Sequence, residues 1–146
     1  MDKFDRKIID ILVQDGRIPV TELAQRVGLS KTPVQSRLRR MMEDGLILGF
    51  RAIVNREKLG FNHIAFTEVK LSDTREQALR EFNTAVCQIV EIEECHMIAS
   101  RFDYLLKVRT TDMQAYRSVL GEKISSLPYV ASTSTFVAME TVAERS

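Results

Sequence analysis

Lys31, Thr32, Gln35, Ser36 and Arg39 stand close together in the sequence, with Arg37 and Arg40 interleaved among them. Lysine and arginine neutralise phosphates, and arginine, glutamine, serine and threonine also hydrogen-bond to base edges. The set therefore has the chemistry of duplex nucleic acid rather than of bond breaking. On a helix the first five form one polar stripe, because Val34, Leu38 and Met41, spaced i, i+4, i+7, take the core side. A helix with that stripe fits a major groove. Any surface helix can carry a solvated polar face, so the elements around the stripe must decide between the two.

Those elements are legible in Val20 to Met42, VTELAQRVGLSKTPVQSRLRRMM, which reads as two short helices joined by a tight turn. Leu23, Ala24 and Val27 share one face of the first, and Gly28 ends it, since glycine takes the left-handed conformation that closes a helix. Leu29 packs the corner, Ser30 is placed to cap the second helix, and Pro33 falls in its first turn, where an absent N–H costs nothing. Upstream, residues 2–14 predict a helix with Phe4, Ile8, Ile11 and Leu12 on one face, capped by Asp2, with Asp5 in its first turn and Asp15-Gly16 at its end. Phe4, Ile8, Leu12, Leu23, Val27, Val34 and Leu38 make a core of marginal size. Leu46 to Val54 (LILGFRAIV) has the alternating, β-branched look of a strand interrupted at Gly49, a wing whose Arg51 either reaches a phosphate or stays solvated. The boundaries that follow are a winged helix-turn-helix domain over residues 1–54 and a polar hinge over 55–62.

From His63 the pattern alternates between strand and helix. Strands are predicted over 63–71, 89–98, 103–109 and 130–139, and helices over 74–87 and 112–126, giving the order β-α-β-β-α-β in a domain over 63–146. The first helix presents Ala78, Leu79, Phe82, Ala85 and Val86, with Asp73 and Glu76 at capping-box spacing. The second presents Met113, Tyr116, Val119, Leu120 and Leu127, opened by Thr111 and Gln114. Both helices cover one face of a four-stranded sheet in this split βαβ layout, so the fold class is α+β with a ferredoxin-like second domain. Ile64, Phe66, Tyr104, Leu106, Phe136 and Ala138 are candidates for the opposite, uncovered face. A broad apolar patch needs cover, and a second copy related by a two-fold axis would supply it while delivering two recognition helices to a pseudo-palindromic site.

The chain has 146 residues, 45% hydrophobic and 28% charged, the composition of a soluble globular protein. No apolar run reaches the roughly 18 residues of a membrane span and no secretory signal is visible, so a cytoplasmic location without membrane contact is expected. The net charge of +1 is uneven: residues 1–60 hold twelve Lys/Arg against eight Asp/Glu, and residues 61–146 hold nine against twelve. A basic first module suits phosphate contact and an acidic second one suits another task. Cys87, Cys95, His63 and His96 form neither a disulfide framework nor a zinc pattern. No phosphate loop or nucleophile with its base is present, and Glu91, Glu93 and Glu94 divide between two faces of a strand, so no catalytic residue, metal or cofactor is expected.

The AQRVGLSKTPVQSRLRRMMEDGLI run and the FDYLLKVRTTDMQAY segment, in this order, resemble the Lrp/AsnC family of bacterial and archaeal transcription regulators along essentially the whole chain. The resemblance implies that the second domain binds a small amino-acid-type effector between subunits and holds homodimers together, which assemble into octamers or similar rings on double-stranded DNA. In that family a Gly-x-x-Asp-Tyr or Asp-Phe loop lies at the effector. Here the matching positions are Ser100, Arg101, Phe102, Asp103 and Tyr104, with serine in place of the glycine. Arg101 either pairs an effector carboxylate or stays in solvent. Thr133, Ser134 and Thr135 look similar to a hydroxyl-bearing stretch near the effector. A protein that binds a small molecule but no DNA, its N-terminal helices serving protein contacts, is the alternative.

Overall fold

Asp2 fixes where the first helix begins. Its carboxylate accepts the amides of Phe4 and Asp5 at 2.9 Å each, and the Asp5 carboxylate accepts the Asp2 amide at 3.1 Å. This reciprocal cap opens α1 (Lys3–Gln14). The computed structural model describes residues 1–145; Ser146, the last residue of the expected 63–146 domain, lies outside them. The helix α2 (Val20–Val27) ends on Gly28 at φ 85°, left-handed as its sequence demands. The helix α3 (Lys31–Glu43) ends on a double closure: the Gly45 amide reaches the Met42 carbonyl at 3.1 Å and the Leu46 amide reaches that of Met41 at 2.8 Å. Ile8, Leu23, Ala24, Val27, Val34 and Met41 are buried together, with Phe4, Ile11, Leu12, Leu29 and Leu38 packed at their edge. Ser30 stands at the N-cap of α3 but its hydroxyl makes no capping bond.

The strand expected over Leu46–Val54 does not form, and among the described residues the helix-turn-helix has no β wing. Leu46 and Ile47 both donate their amides to the Met41 carbonyl, Gly49 sits at φ 150°, and no neighbouring strand offers a ladder. Leu48 is left 96% exposed and Ile53 81% exposed. The chain divides into two units, Met1–Ile53 and the remainder from Val54. Residues 55–62, expected as a hinge, group with the second unit: the Asn55 carboxamide oxygen accepts the Lys58 amide at 2.9 Å and the Phe61 amide reaches the Arg56 carbonyl at 3.0 Å.

The second unit runs β1 (His63–Leu71), α4 (Glu76–Val86), β2 (Ile92–Met97), β3 (Tyr104–Thr110), α5 (Met113–Val119) with one π-helical turn over Leu120–Ile124, and β4 (Val130–Val137). The four strands form one antiparallel sheet in the order β2-β3-β1-β4, the expected ferredoxin-like arrangement. Period-two alternation on β1 sends Ala65, Thr67, Val69 and Leu71 into a core with Phe82, Val86, Tyr116 and Ile124. Tyr104 and Leu106 belong to this same face, opposite Val69 and Thr67, so they are not on the uncovered face where the sequence placed them. A chain of hydroxyls crosses the core, Tyr116 Oη lying 2.8 Å from Thr67 Oγ1 and 2.5 Å from Thr135 Oγ1.

Helix starts also differ from expectation. Asp73 uses its carboxylate on Arg75, so α4 begins without a side-chain cap, and Asp112 rather than Thr111 caps α5 by accepting the Ala115 amide at 2.7 Å. Met113, one turn from the core, is exposed. Cys87 follows α4 in solvent, while Cys95 on β2 is partly buried, which pushes its thiol up to about 11. The uncovered face carries Phe66 opposite Phe136, Glu68 opposite Ser134 and Lys70 opposite Ser132. Glu144, beyond β4, closes on Lys107 and on Arg109 at 3.0 Å, and Arg109 also reaches Glu93 at 2.8 Å.

Candidate nucleic-acid interface and ligand cavity

The polar stripe is held outward by what lies behind it. With Val34 and Met41 buried, Lys31, Thr32, Gln35, Ser36 and Arg39 are all exposed, and none of their side chains makes an intramolecular hydrogen bond among the described residues. Five unengaged donors and acceptors on one helix face are free for base edges and phosphates. Arg37 and Arg40, expected beside them, are engaged elsewhere. The Arg37 guanidinium bonds Asp2 at 2.7 Å and Asp5 at 2.8 Å and lies over the Phe4 ring, and Arg40 bonds the second oxygen of Asp5 at 2.6 Å. Asp5 is 2% exposed. Its burial opposes the charge, yet the Arg37 bond, the Asp2 amide and the Arg40 charge hold its carboxyl below the ordinary aspartate value. Arg37 is thus tied to α1, whereas Arg40, with half its side chain in solvent, retains free donors. The sequence signal for this was slight: an aspartate in a first turn ordinarily answers only to the helix dipole.

On the uncovered face of the second unit, Glu68, Lys70, Arg101, Phe102, Ser132, Thr133 and Ser134 line an open cavity of about 150 Å³. Four of the eight residues expected at an effector, Arg101, Phe102, Thr133 and Ser134, meet there. The other four do not. Asp103 braces the loop, its amide on the Val69 carbonyl at 2.9 Å and its carboxylate on the Leu71 amide at 2.7 Å. Tyr104 is buried against Phe82 with its hydroxyl on Asn83 at 2.5 Å, and Thr135 is bonded to Tyr116. Ser100 is exposed and outside the positive-φ region, so serine takes the place of glycine without backbone strain. Glu68, Lys70 and Ser132 were missed, although alternation on β1 puts Glu68 and Lys70 on one face. Lys70 donates to the Arg101 carbonyl at 3.2 Å. Neither it, Arg101 nor Glu68 has an ion-pair partner among the described residues, leaving one anion and two cations to face the cavity.

Two family models account for both units: the AsnC-type helix-turn-helix domain over residues 1–42 and the Lrp/AsnC ligand binding domain over residues 64–146. A proline dehydrogenase transcriptional activator of Rhizobium radiobacter is 66% identical, covering 99% of this chain and 92% of the relative. A protein of the same name from Rhodobacter capsulatus is 56% identical over 99% of this chain and 94% of its own length. Among solved structures, a feast or famine regulatory protein from M. tuberculosis complexed with L-methionine superposes with a TM-score of 0.88 at 31% identity, covering 98% of this chain and 95% of that one. No helix of the described residues is long and apolar enough to cross a membrane. Matched over both its units, the chain belongs to the Lrp/AsnC family of transcriptional regulators.

Proposed function

We propose that this regulator reads duplex DNA with Lys31, Thr32, Gln35, Ser36 and Arg39, and senses a small zwitterionic amino acid in the Glu68–Lys70–Arg101 cavity. The observation that carries the effector half is the cavity's charge. An unpaired carboxylate beside unpaired cations complements an ammonium and a carboxylate on one small molecule, and the serine hydroxyls add adaptable partners. A 150 Å³ space accommodates a molecule of roughly that size. Two relatives carry the name of a proline dehydrogenase activator, which makes proline the first ligand to test and a proline dehydrogenase gene the first target. The apolar residues left exposed on the sheet, Phe136 among them, support a homodimer that builds toward an octamer.

The test is thermal unfolding with proline, methionine, leucine and the carboxamide of each, which keeps the ammonium and lacks the carboxylate. A ligand bound only by the folded protein raises the midpoint, and the amides should not, because they lack the carboxylate. DNA binding that weakens steeply with salt separates this function from that of a small-molecule binder without DNA.

A further inference from the structure

The wheel of α3 divides its arginines. At about 100° per residue, Lys31, Gln35, Arg39, Thr32 and Ser36 span an arc of about 140°, Arg40 follows about 40° further, and Arg37 lies about 60° beyond that, beside the buried Met41. Arg37 and Arg40 therefore lie, with Pro33, between the reading arc and the core, and both are gripped by the same carboxylate. One Asp5 oxygen takes Arg37 and the other takes Arg40 and the Asp2 amide. Asp2 adds a second bond to Arg37, and Asp2 is itself fixed as the cap of α1. A helix held by apolar contacts alone can slide or turn by part of a residue at small cost. A buried carboxylate bridging two guanidiniums resists it, because each bond is directional and its loss strands a charge away from water.

We propose that Asp5 is a positioning residue for DNA recognition. By holding Arg37 on α1 and Arg40 at the rim of α3, it sets the rotation of the recognition helix and removes Arg37 from the set of phosphate contacts. Arg40 keeps free donors on its exposed side and contacts the DNA backbone from that fixed position. This inference rests on the DNA-binding reading above and goes beyond it, in that three arginines of one helix receive three roles: Arg39 reads, Arg40 anchors and Arg37 braces.

The experiment uses the full chain and two duplexes: one recovered from a randomised pool by the unmodified protein, and a scrambled version of it. Affinity for each is measured across a salt series, with circular dichroism confirming the fold. Each phosphate contact contributes about 0.9 to the slope of log affinity against log salt. D5N releases Arg40 and leaves Arg37 only its Asp2 bond, so the slope should steepen by up to about that amount as Arg37 gains nonspecific contacts, while preference for the selected duplex falls at least tenfold. R40Q should make the slope shallower by one such step. R37Q should lower the preference without changing the slope. D5N with unmodified slope and preference overturns the proposal, as does R37Q with a shallower slope, which would put Arg37 on a phosphate. If D5N does not fold, the slopes of R37Q and R40Q decide by the same criteria. An unmodified protein that binds neither duplex overturns the DNA reading and this inference together, whereas normal binding with an indifferent D5N overturns this inference alone.

Discussion

Asp5 carries its charge where water scarcely reaches, and the acid side of the stability profile should register it. Asp2 is lowered to about 2, first by the Asp5 amide and then by Arg37, and Asp5 is lowered by Arg37, the Asp2 amide and Arg40 against the opposing effect of burial. Carboxyls depressed on folding stabilise the protein above their unfolded value, about 3.9, and lose that contribution as the pH falls through the folded value. The first unit should thus weaken between about pH 4 and pH 2. Urea unfolding followed by helical circular dichroism across that range checks it, with D5N showing a smaller acid loss than the unmodified chain. At this scale the sequence was legible where one side chain meets solvent or backbone: the polar stripe, the Gly28 turn and the Asp2 cap all stand as read. It was illegible where a role depends on a partner distant in sequence. Arg37 and Asp5 are thirty-two positions apart, and no local spacing links them.

Elements were legible wherever periodicity met a core. The strand over 63–71 matched its residues one for one, because alternation on a sheet with one covered face has a single solution. The expected strand over 46–54 had the same alternation and no ladder, and a strand cannot stand on pattern alone. Helix starts shifted by one or two residues because several neighbouring side chains could cap and only Asp112 and Asp2 did. Between sheet and α5, the Thr67–Tyr116–Thr135 hydroxyl chain gives a quantitative test. Tyr116→Phe keeps the ring but leaves two threonine hydroxyls, one of them on the buried Thr67, without their shared partner. A loss of about 1–3 kcal/mol in urea unfolding is expected, against near neutrality if the hydroxyl contributed only its own bond to water.

For the whole molecule, charge and hydrophobicity are distributed by unit: the basic residues concentrate before residue 60, and the uncovered sheet face gathers Phe66, Leu105 and Phe136 around ions. If a second copy covers that face, Phe136→Glu should place two carboxylates against each other across the two-fold axis. Sedimentation at micromolar concentration should then give a monomer where the parent gives a dimer or larger, and an unchanged distribution would assign the assembly to another surface. The sequence announced two modules and an exposed face, but not that two of the five loop residues, Asp103 and Tyr104, would be engaged in internal hydrogen bonds. Asp103 and Tyr104 support a cavity whose lining comes partly from the middle strand.

The contrast between the two cysteines has a practical side. Cys87 lies open to reagents at the end of α4, while the thiol of Cys95 is shielded and held up to about 11, so at neutral pH it offers almost no thiolate, the form that reacts. An alkylating fluorophore therefore has one address on the unmodified chain, at the end of α4 in the second unit, where the arrival of the proposed metabolite is to be followed as a change in brightness without any engineered handle.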